Sequence, residues 1–139
     1  MSTQIAETQH IAQESPEPLR GQIASAISSA VVRLFAEYLG RGPTKARTVV
    51  TANLISVVLE DTLTKAERRL VERGRSTSVV QMRRVVQEVM REDLVAAVES
   101  ITGRQVIAFL SDHQTEPDFA VESFVLEPLP APTAGEVPA

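Results

Sequence analysis

The segment spanning residues 40–47, GRGPTKAR, has a composition that could bind a small anion. Its glycines leave backbone amides accessible, and the cations Arg41, Lys45 and Arg47 follow at short spacing, so a phosphate, carboxylate or bicarbonate could be held there. The spacing differs from that of a nucleotide-binding P-loop. The alternative interpretation is a helix stop followed by a turn, with the charged side chains in water.

A basic run could bind a negatively charged partner. It consists of Lys65, Arg68, Arg69, Arg73, Arg75, Arg83 and Arg84. Aromatic residues, which stack on bases, are absent from the run, and the isoelectric point near 5.2 argues against a dedicated nucleic-acid-binding protein. An acidic protein partner, an anionic lipid surface or the acidic half of a second copy suits the run equally well, and a solvated surface is the structural alternative.

Residues 111–118 contain Ser111, Asp112 and His113, followed by Glu116 and Asp118. A serine, an acid and a histidine suggest a catalytic triad, but close neighbours in a loop rarely place the base between nucleophile and carboxylate. A metal site is the second reading, and a hairpin turn braced by the two aspartates is the third. We therefore expect this loop to be structural, and Asp112 is retained only as a binding candidate.

The composition excludes several classes of site. The chain lacks cysteine, which rules out disulfides, thiol nucleophiles and thiolate metal sites. Walker, dinucleotide-binding and zincin motifs are also absent from the sequence. We expect a protein without catalytic residues, without a metal and without a cofactor.

Charge is distributed unevenly along the chain. Residues 41–84 carry ten basic and four acidic side chains, whereas residues 85–139 carry two basic and ten acidic ones. Such polarity suits docking or orientation as well as solubility. The longest stretches without a charge have 12 residues, too few for the roughly 20 that cross a bilayer. We therefore expect a cytoplasmic protein without a transmembrane span, docked at the inner face of the cell membrane if it acts there.

Hydrophobic periodicity and breaker residues predict three helices and four strands. The predicted helices cover residues 20–39, 63–74 and 76–102, and the strands cover 46–51, 54–60, 105–110 and 119–126. The order α-β-β-α-α-β-β predicts an α+β fold, with a four-stranded antiparallel sheet and helices on one of its faces. A dimer, formed by two copies of this chain, would cover the other face. Residues 1–19 and 128–139 are predicted to be disordered tails around a single domain at 20–127.

The predicted helices come with predicted buried faces. In the second helix, Leu70 and Val71 are expected to point inward. In the third, spacings of three and four residues predict an apolar stripe. This stripe consists of Val79, Met82, Val85, Val86, Val89, Met90, Leu94, Ala97, Val98 and Ile101.

Several short motifs occur in a characteristic order. They are GRGP at 40–43, VVLE at 57–60, LTKAE at 63–67, TGR at 102–104, FLSD at 109–112 and FVLE at 124–127. In this order they resemble the MpsC-like family of small bacterial domains, the C subunit of a membrane-potential-generating system. The resemblance covers roughly residues 20–127.

The resemblance implies a soluble accessory or regulatory subunit associated with cation translocation or inorganic-carbon uptake, whose partner subunits lie in the membrane. It carries over no catalytic residue. The polar positions that fall within its motifs are Arg41, Arg104 and Asp112, of which Arg104 could instead bind backbone carbonyls. A small-anion-sensing module and, less favoured, a nucleic-acid-associated protein are the alternative functions.

Overall fold

The computed structural model describes residues 17–129, so the predictions for residues 1–16 and 130–139 lie outside the described part of the chain. Three helices are present there: α1 (Glu17–Leu39), α2 (Lys65–Glu72) and α3 (Ser76–Thr102). The strands are β1 (Lys45–Val50), β2 (Leu54–Glu60), β3 (Val106–Thr115) and β4 (Asp118–Leu126). This element order and the mixed α+β class confirm the prediction.

The strands form one antiparallel sheet in the order β1-β2-β4-β3. The central strand β4 pairs with both β2 and β3, and Glu122 lies opposite Val57 on one side and Ser111 on the other. Side chains on successive residues of a strand point to opposite faces. The register therefore puts Ser111, His113, Ala120 and Glu122 on the face that carries the core.

The helices cover the inner face of this sheet. Helix α1 contacts β1, helix α3 contacts β3, and the two helices contact each other. The core between helices and sheet is apolar at its centre. Its members are Ile27, Val31, Phe35, Ile55, Val57, Leu59, Met90, Leu94, Val98, Phe109, Ala120, Phe124 and Leu126.

The outer face of the sheet has no helix packed on it among the described elements. Alternation along the strands directs Val49, Leu54, Leu110 and Val121 to this face, and each of them is exposed. Ser56 and Ser123 lie between them on β2 and β4, with their hydroxyl oxygens 3.1 Å apart. We call this surface the open face.

Helix ends follow the predicted breaker residues. Gly103 has φ 69° and closes α3 by donating its amide to the Glu99 carbonyl at 2.8 Å. This left-handed backbone is one that glycine adopts without steric cost. Thr64 caps α2 with its side chain, and the predicted capping box with Glu67 is present.

In its first half, the predicted apolar stripe of α3 is confirmed at Val79 and Val86 but wrong at Met82, Val85 and Val89. Met82, Val85 and Val89 are about 60% exposed, whereas Arg83 and Gln87 are buried. This half of α3 carries apolar residues on two sides, so periodicity alone did not determine its rotation about the helix axis. The polar partners described below hold Arg83 and Gln87 inward.

Two further predictions need correction. Leu70 is 43% exposed, and α2 contains no buried residue, because that helix lies at the rim of the domain. Strand β3 extends to Thr115, so Ser111, Asp112 and His113 belong to a strand rather than to a loop. Their pairing with β4 continues as far as Thr115 opposite Asp118, which leaves a two-residue turn.

Candidate functional site

A group of buried polar side chains lies between α3 and the inner face of β3 and β4, at the end of the core nearest α2. Polar groups in an otherwise apolar interior are costly unless they are hydrogen-bonded, so such a group is the first place to look for function. We call it the Arg83 cluster. Its members are Thr62, Glu67, Arg83, Gln87, Ser111, His113, Asp118 and Glu122.

Arg83 is the centre of the cluster and is fully buried. Its Nε donates to Glu67 Oε2 at 2.7 Å, and its Nη2 donates to Glu67 Oε1 at 2.8 Å. Nη2 also donates to the backbone carbonyl of Thr62. A buried cation requires this kind of pairing, because an uncompensated charge in the interior would be strongly destabilising.

Glu67 reaches Arg83 from the first turn of α2. Its backbone amide donates to Thr64 Oγ1 at 3.1 Å, while its Oε1 accepts from the Thr64 amide at 2.8 Å. Burial pushes the pKa of Glu67 upward, but the hydrogen bonds and charge of Arg83 outweigh burial and bring it below its usual value. Glu67 therefore remains the anionic partner of Arg83 and ties the otherwise exposed α2 to the core.

His113 enters the cluster from β3. Its Nε2 lies 3.1 Å from Thr62 Oγ1, and that hydroxyl donates to Asp118 Oδ1 at 2.8 Å. Because the Thr62 proton is committed to Asp118, His113 must donate from Nε2, which assigns the tautomer with a free lone pair on Nδ1. Burial, reinforced by the charge of Arg83, lowers the pKa of His113 despite the opposing effect of Asp118, so the ring is neutral near pH 7.

Glu122 is fully buried on the central strand. Ser111, directly opposite on β3, donates its hydroxyl to Glu122 Oε2 at 2.7 Å. Burial raises the pKa of Glu122 to about 8, against smaller opposing effects of Ser111 and Arg83. The carboxyl group is therefore mainly protonated at neutral pH.

Four buried polar atoms of this cluster have no hydrogen-bond partner among the described residues. They are Arg83 Nη1, Gln87 Oε1, His113 Nδ1 and Glu122 Oε1. A groove of about 350 Å³ between α3 and β3 has Arg83, Gln87 and His113 in its wall. Buried groups are normally satisfied, so this concentration of unpaired atoms beside a groove distinguishes the cluster from an ordinary core.

The family model described as Na+-translocating membrane potential-generating system (MpsC) matches residues 19–128. The chain belongs to the MpsC family. This membership confirms the resemblance drawn from the short motifs, and the family name suggests a role in a Na+ membrane-potential system. No curated protein and no solved structure matches the chain significantly.

Two observations concern membranes and metals. Within residues 17–129, no helix is both long enough and apolar enough to cross a bilayer. The same residues bring together no set of three histidine or carboxylate ligands arranged for a metal ion.

The structure separates the three cations of the segment at residues 40–47. The Arg41 guanidinium donates to the carbonyls of Asp61 and Leu63 at 2.8 and 2.7 Å and pairs with the Asp61 carboxylate at 3.1 Å. Arg41 therefore braces the connection between β2 and α2 in this MpsC-family chain. Lys45 and Arg47 are exposed on β1 and point to the open face.

The remaining predicted residues also lie apart from the Arg83 cluster. Arg68 pairs with Asp61, while Arg69 is exposed on α2. Arg104 donates to the carbonyls of Ala52 and Glu127 at 2.6 and 2.9 Å, which ties the β1–β2 turn to the end of β4. Asp112 lies on the outer side of β3, beside the groove that His113 enters.

Sequence reasoning placed Arg83 in the basic run that could bind an external partner, whereas the side chain is fully buried, and it did not identify Gln87 or Glu122 as members of a site. A signal for Glu122 exists, since it alternates in β4 with Ala120, Phe124 and Leu126 on the buried face. A single acid in such an apolar series indicates either a register change that exposes it or a buried carboxyl group with polar partners. No comparable signal exists for Arg83, whose partner Glu67 lies 16 residues earlier on a different helix.

Proposed function

We propose that this chain is a non-enzymatic regulatory subunit of a Na+-translocating membrane potential-generating system, docked on a membrane-bound subunit at the cytoplasmic side. Membership of the MpsC family is the observation that carries the proposal. The system that we propose also serves inorganic-carbon uptake, with bicarbonate as the transported form.

The surface around α2 supports docking. Helix α2 buries none of its residues, and its side chains are directed largely into solvent. Five exposed cations around it have no ion-pair partner among the described residues, and we call them the basic surface. They are Lys65, Arg69, Arg73, Arg75 and Arg84.

A basic surface of this kind matches an acidic protein surface. Complementary charges accelerate encounter and fix orientation, and their effect decreases with ionic strength. Leu70 is exposed beside these cations and supplies an apolar contact that would be buried on docking. The partner that we propose is an acidic cytoplasmic segment of a membrane-bound subunit.

Charge reversal on the basic surface and away from it tests this proposal. We expect Arg69→Glu with Arg73→Glu to abolish co-purification of the membrane-bound subunits from detergent extracts. The control is Arg33→Glu, a charge reversal at an exposed position of α1 that belongs to neither the basic surface nor the open face. Equal loss in both variants, or in neither, would contradict docking through the basic surface.

A lipid surface is a different partner and gives a different outcome. Vesicles containing anionic lipid but no protein should not retain the chain under conditions in which the extracted subunits do. Retention by the vesicles alone would show that the basic surface binds lipid rather than an acidic subunit.

Deletion of the chain should impair bicarbonate-dependent growth, and unchanged growth would oppose the role in carbon uptake.

We also propose a homodimer formed through the open face. The support is the exposure of Val49, Leu54 and Val121 at 47%, 40% and 37% on one uncovered sheet surface. Burial of such apolar area is the main favourable contribution to subunit association. Val121→Glu should convert a dimer to a monomer in light scattering, and a wild-type chain that is monomeric at high concentration would refute this arrangement.

A further inference from the structure

We propose that the groove between α3 and β3 binds a small oxyanion that carries one proton, and that the unpaired atoms of the Arg83 cluster recognise it. This site is distinct from the docking surface proposed above, with which it shares only Arg84 at its wall. It differs in position from the segment at residues 40–47, where Arg41 is already occupied by two carbonyls and a carboxylate.

The unpaired atoms present both donors and acceptors. Arg83 Nη1 is a donor, and Arg83 lines the groove. Gln87 Oε1 is an acceptor, and His113 Nδ1 is an acceptor in the assigned tautomer. A ligand that satisfies both kinds must offer acceptor oxygens and a hydroxyl hydrogen within a few ångströms of each other.

Guanidinium donors at the groove wall provide hydrogen bonds for the oxygens of an anion. That wall includes three cations, Arg83, Arg84 and Arg91, and two acids, Glu88 and Asp112. Arg91 lies over the Phe109 ring at 5.4 Å, which holds it at the wall. Glu67 already balances the charge of Arg83, and Arg84 and Arg91 are offset by the two acids, so the groove suits an anion of low charge such as a monoanion.

The burial of the recognising atoms favours a compact ligand. Arg83 is fully buried and Gln87 is 6% exposed, so a ligand reaches them only at the floor of the groove. The groove has a volume of about 350 Å³, which accommodates an ion of four or five heavy atoms with its water. Phosphate and hydrogencarbonate share the required chemistry, because both carry a proton on an oxyanion at neutral pH.

Titration calorimetry at pH 7 tests the proposal with inorganic phosphate, hydrogencarbonate and sulfate. Phosphate or hydrogencarbonate should bind saturably at one site per chain. Sulfate, which has no proton at this pH, should bind at least tenfold more weakly, because it cannot donate to either Gln87 Oε1 or His113 Nδ1, whereas the protonated ions can donate to one of them. Binding of all three with similar affinity, or of none, would overturn the proposal.

Gln87→Met removes an acceptor without touching the ion pair of Arg83, so the variant should remain folded. We expect a smaller discrimination between phosphate and sulfate, because His113 Nδ1 is then the remaining acceptor for the ligand's proton. The matched control is Gln81→Met, the same substitution at an exposed position of α3. Unchanged discrimination in Gln87→Met, or the same decrease in Gln81→Met, would refute the recognition that we propose.

Amide chemical shifts locate the site independently of affinity. Saturating phosphate should shift the amides of residues 83–91 and 109–113. Shifts confined to residues 40–47 would place the anion at the glycine-containing segment and overturn the assignment to the groove.

Discussion

Replacing Glu122 with glutamine should stabilise the protein by an amount that increases with pH. The carboxyl group is buried on the central strand, and its pKa is raised to about 8, mainly by burial. In the unfolded chain the group returns to its ordinary value of 4.5. Between these two values the unfolded state releases the proton and the folded state keeps it.

The direction and size of the effect follow from proton linkage. Stability contributed by the protonated carboxyl is fully present below pH 4.5 and decreases as pH rises toward 8. The free energy of unfolding of the wild type decreases by about 1.4 kcal/mol per pH unit in this range. The total decrease between the two pKa values is roughly 5 kcal/mol as an upper bound. Above pH 8 both states are ionised and the dependence disappears.

Glutamine is nearly isosteric with the protonated carboxyl and does not titrate. In Glu122→Gln, the side-chain carbonyl can still accept the Ser111 hydroxyl, which lies 2.7 Å from Glu122 Oε2 in the wild type. The variant therefore keeps the packing and the hydrogen bond while removing the ionisation cost. Its advantage over the wild type should be small at pH 5 and largest near pH 8.

Urea unfolding at half-unit intervals from pH 5 to pH 9 measures this difference. His113 also affects the wild-type curve, with opposite sign, because its lowered pKa makes stability decrease as pH falls below its unfolded value of 6.5. That contribution is common to both proteins, so the difference between them isolates Glu122. The control is Glu92→Gln, at an exposed position of α3.

A pH-independent difference between wild type and Glu122→Gln would refute the reasoning. It would mean that the carboxyl group titrates alike in the folded and unfolded states. A difference that Glu92→Gln reproduces would attribute the effect to net charge rather than to burial.

Three further substitutions probe the packing around the site. Thr64→Ala removes the side-chain cap of α2 and should cost about 1 kcal/mol, with faster hydrogen exchange of the α2 amides. Phe124→Ala opens a cavity in the core and should cost about 3–5 kcal/mol in chemical denaturation. Arg41→Met leaves the carbonyls of Asp61 and Leu63 without their donor and should lower the free energy of unfolding by about 1–3 kcal/mol. An unchanged thermal midpoint of this variant would contradict a bracing role for Arg41.

Local patterns determined the elements and their order. The spacing of apolar residues between Gly74 and Gly103 predicted α3 with its observed bounds, because Gly74, with positive φ, follows the end of α2 and Gly103, also with positive φ, ends α3. The capping box at Thr64 and Glu67 was also readable, since both halves lie within four residues. Hairpin connections then favour an antiparallel sheet, which the structure confirms.

The candidate site was decided by tertiary contacts. Helix α3 could have turned either Met82 or Arg83 toward the sheet, and the local pattern favoured Met82. Arg83 is turned inward because Glu67 and the Thr62 carbonyl accept its hydrogen bonds there. These partners come from segments that the sequence separates by 16 and 21 residues, so only the assembled fold could show that they meet.

The same physical reason applies to Glu122 and His113. Alternation along a strand indicates which residues share a face, but not whether that face meets an apolar helix or a polar one. Burial keeps both side chains neutral, and the nearby Arg83 charge adds to this effect at His113 but opposes it at Glu122. The alternation along the strands could therefore assign Glu122 and His113 to a face of the sheet. Their protonation states and their unpaired atoms depend on the side chains of α3 that pack against that face.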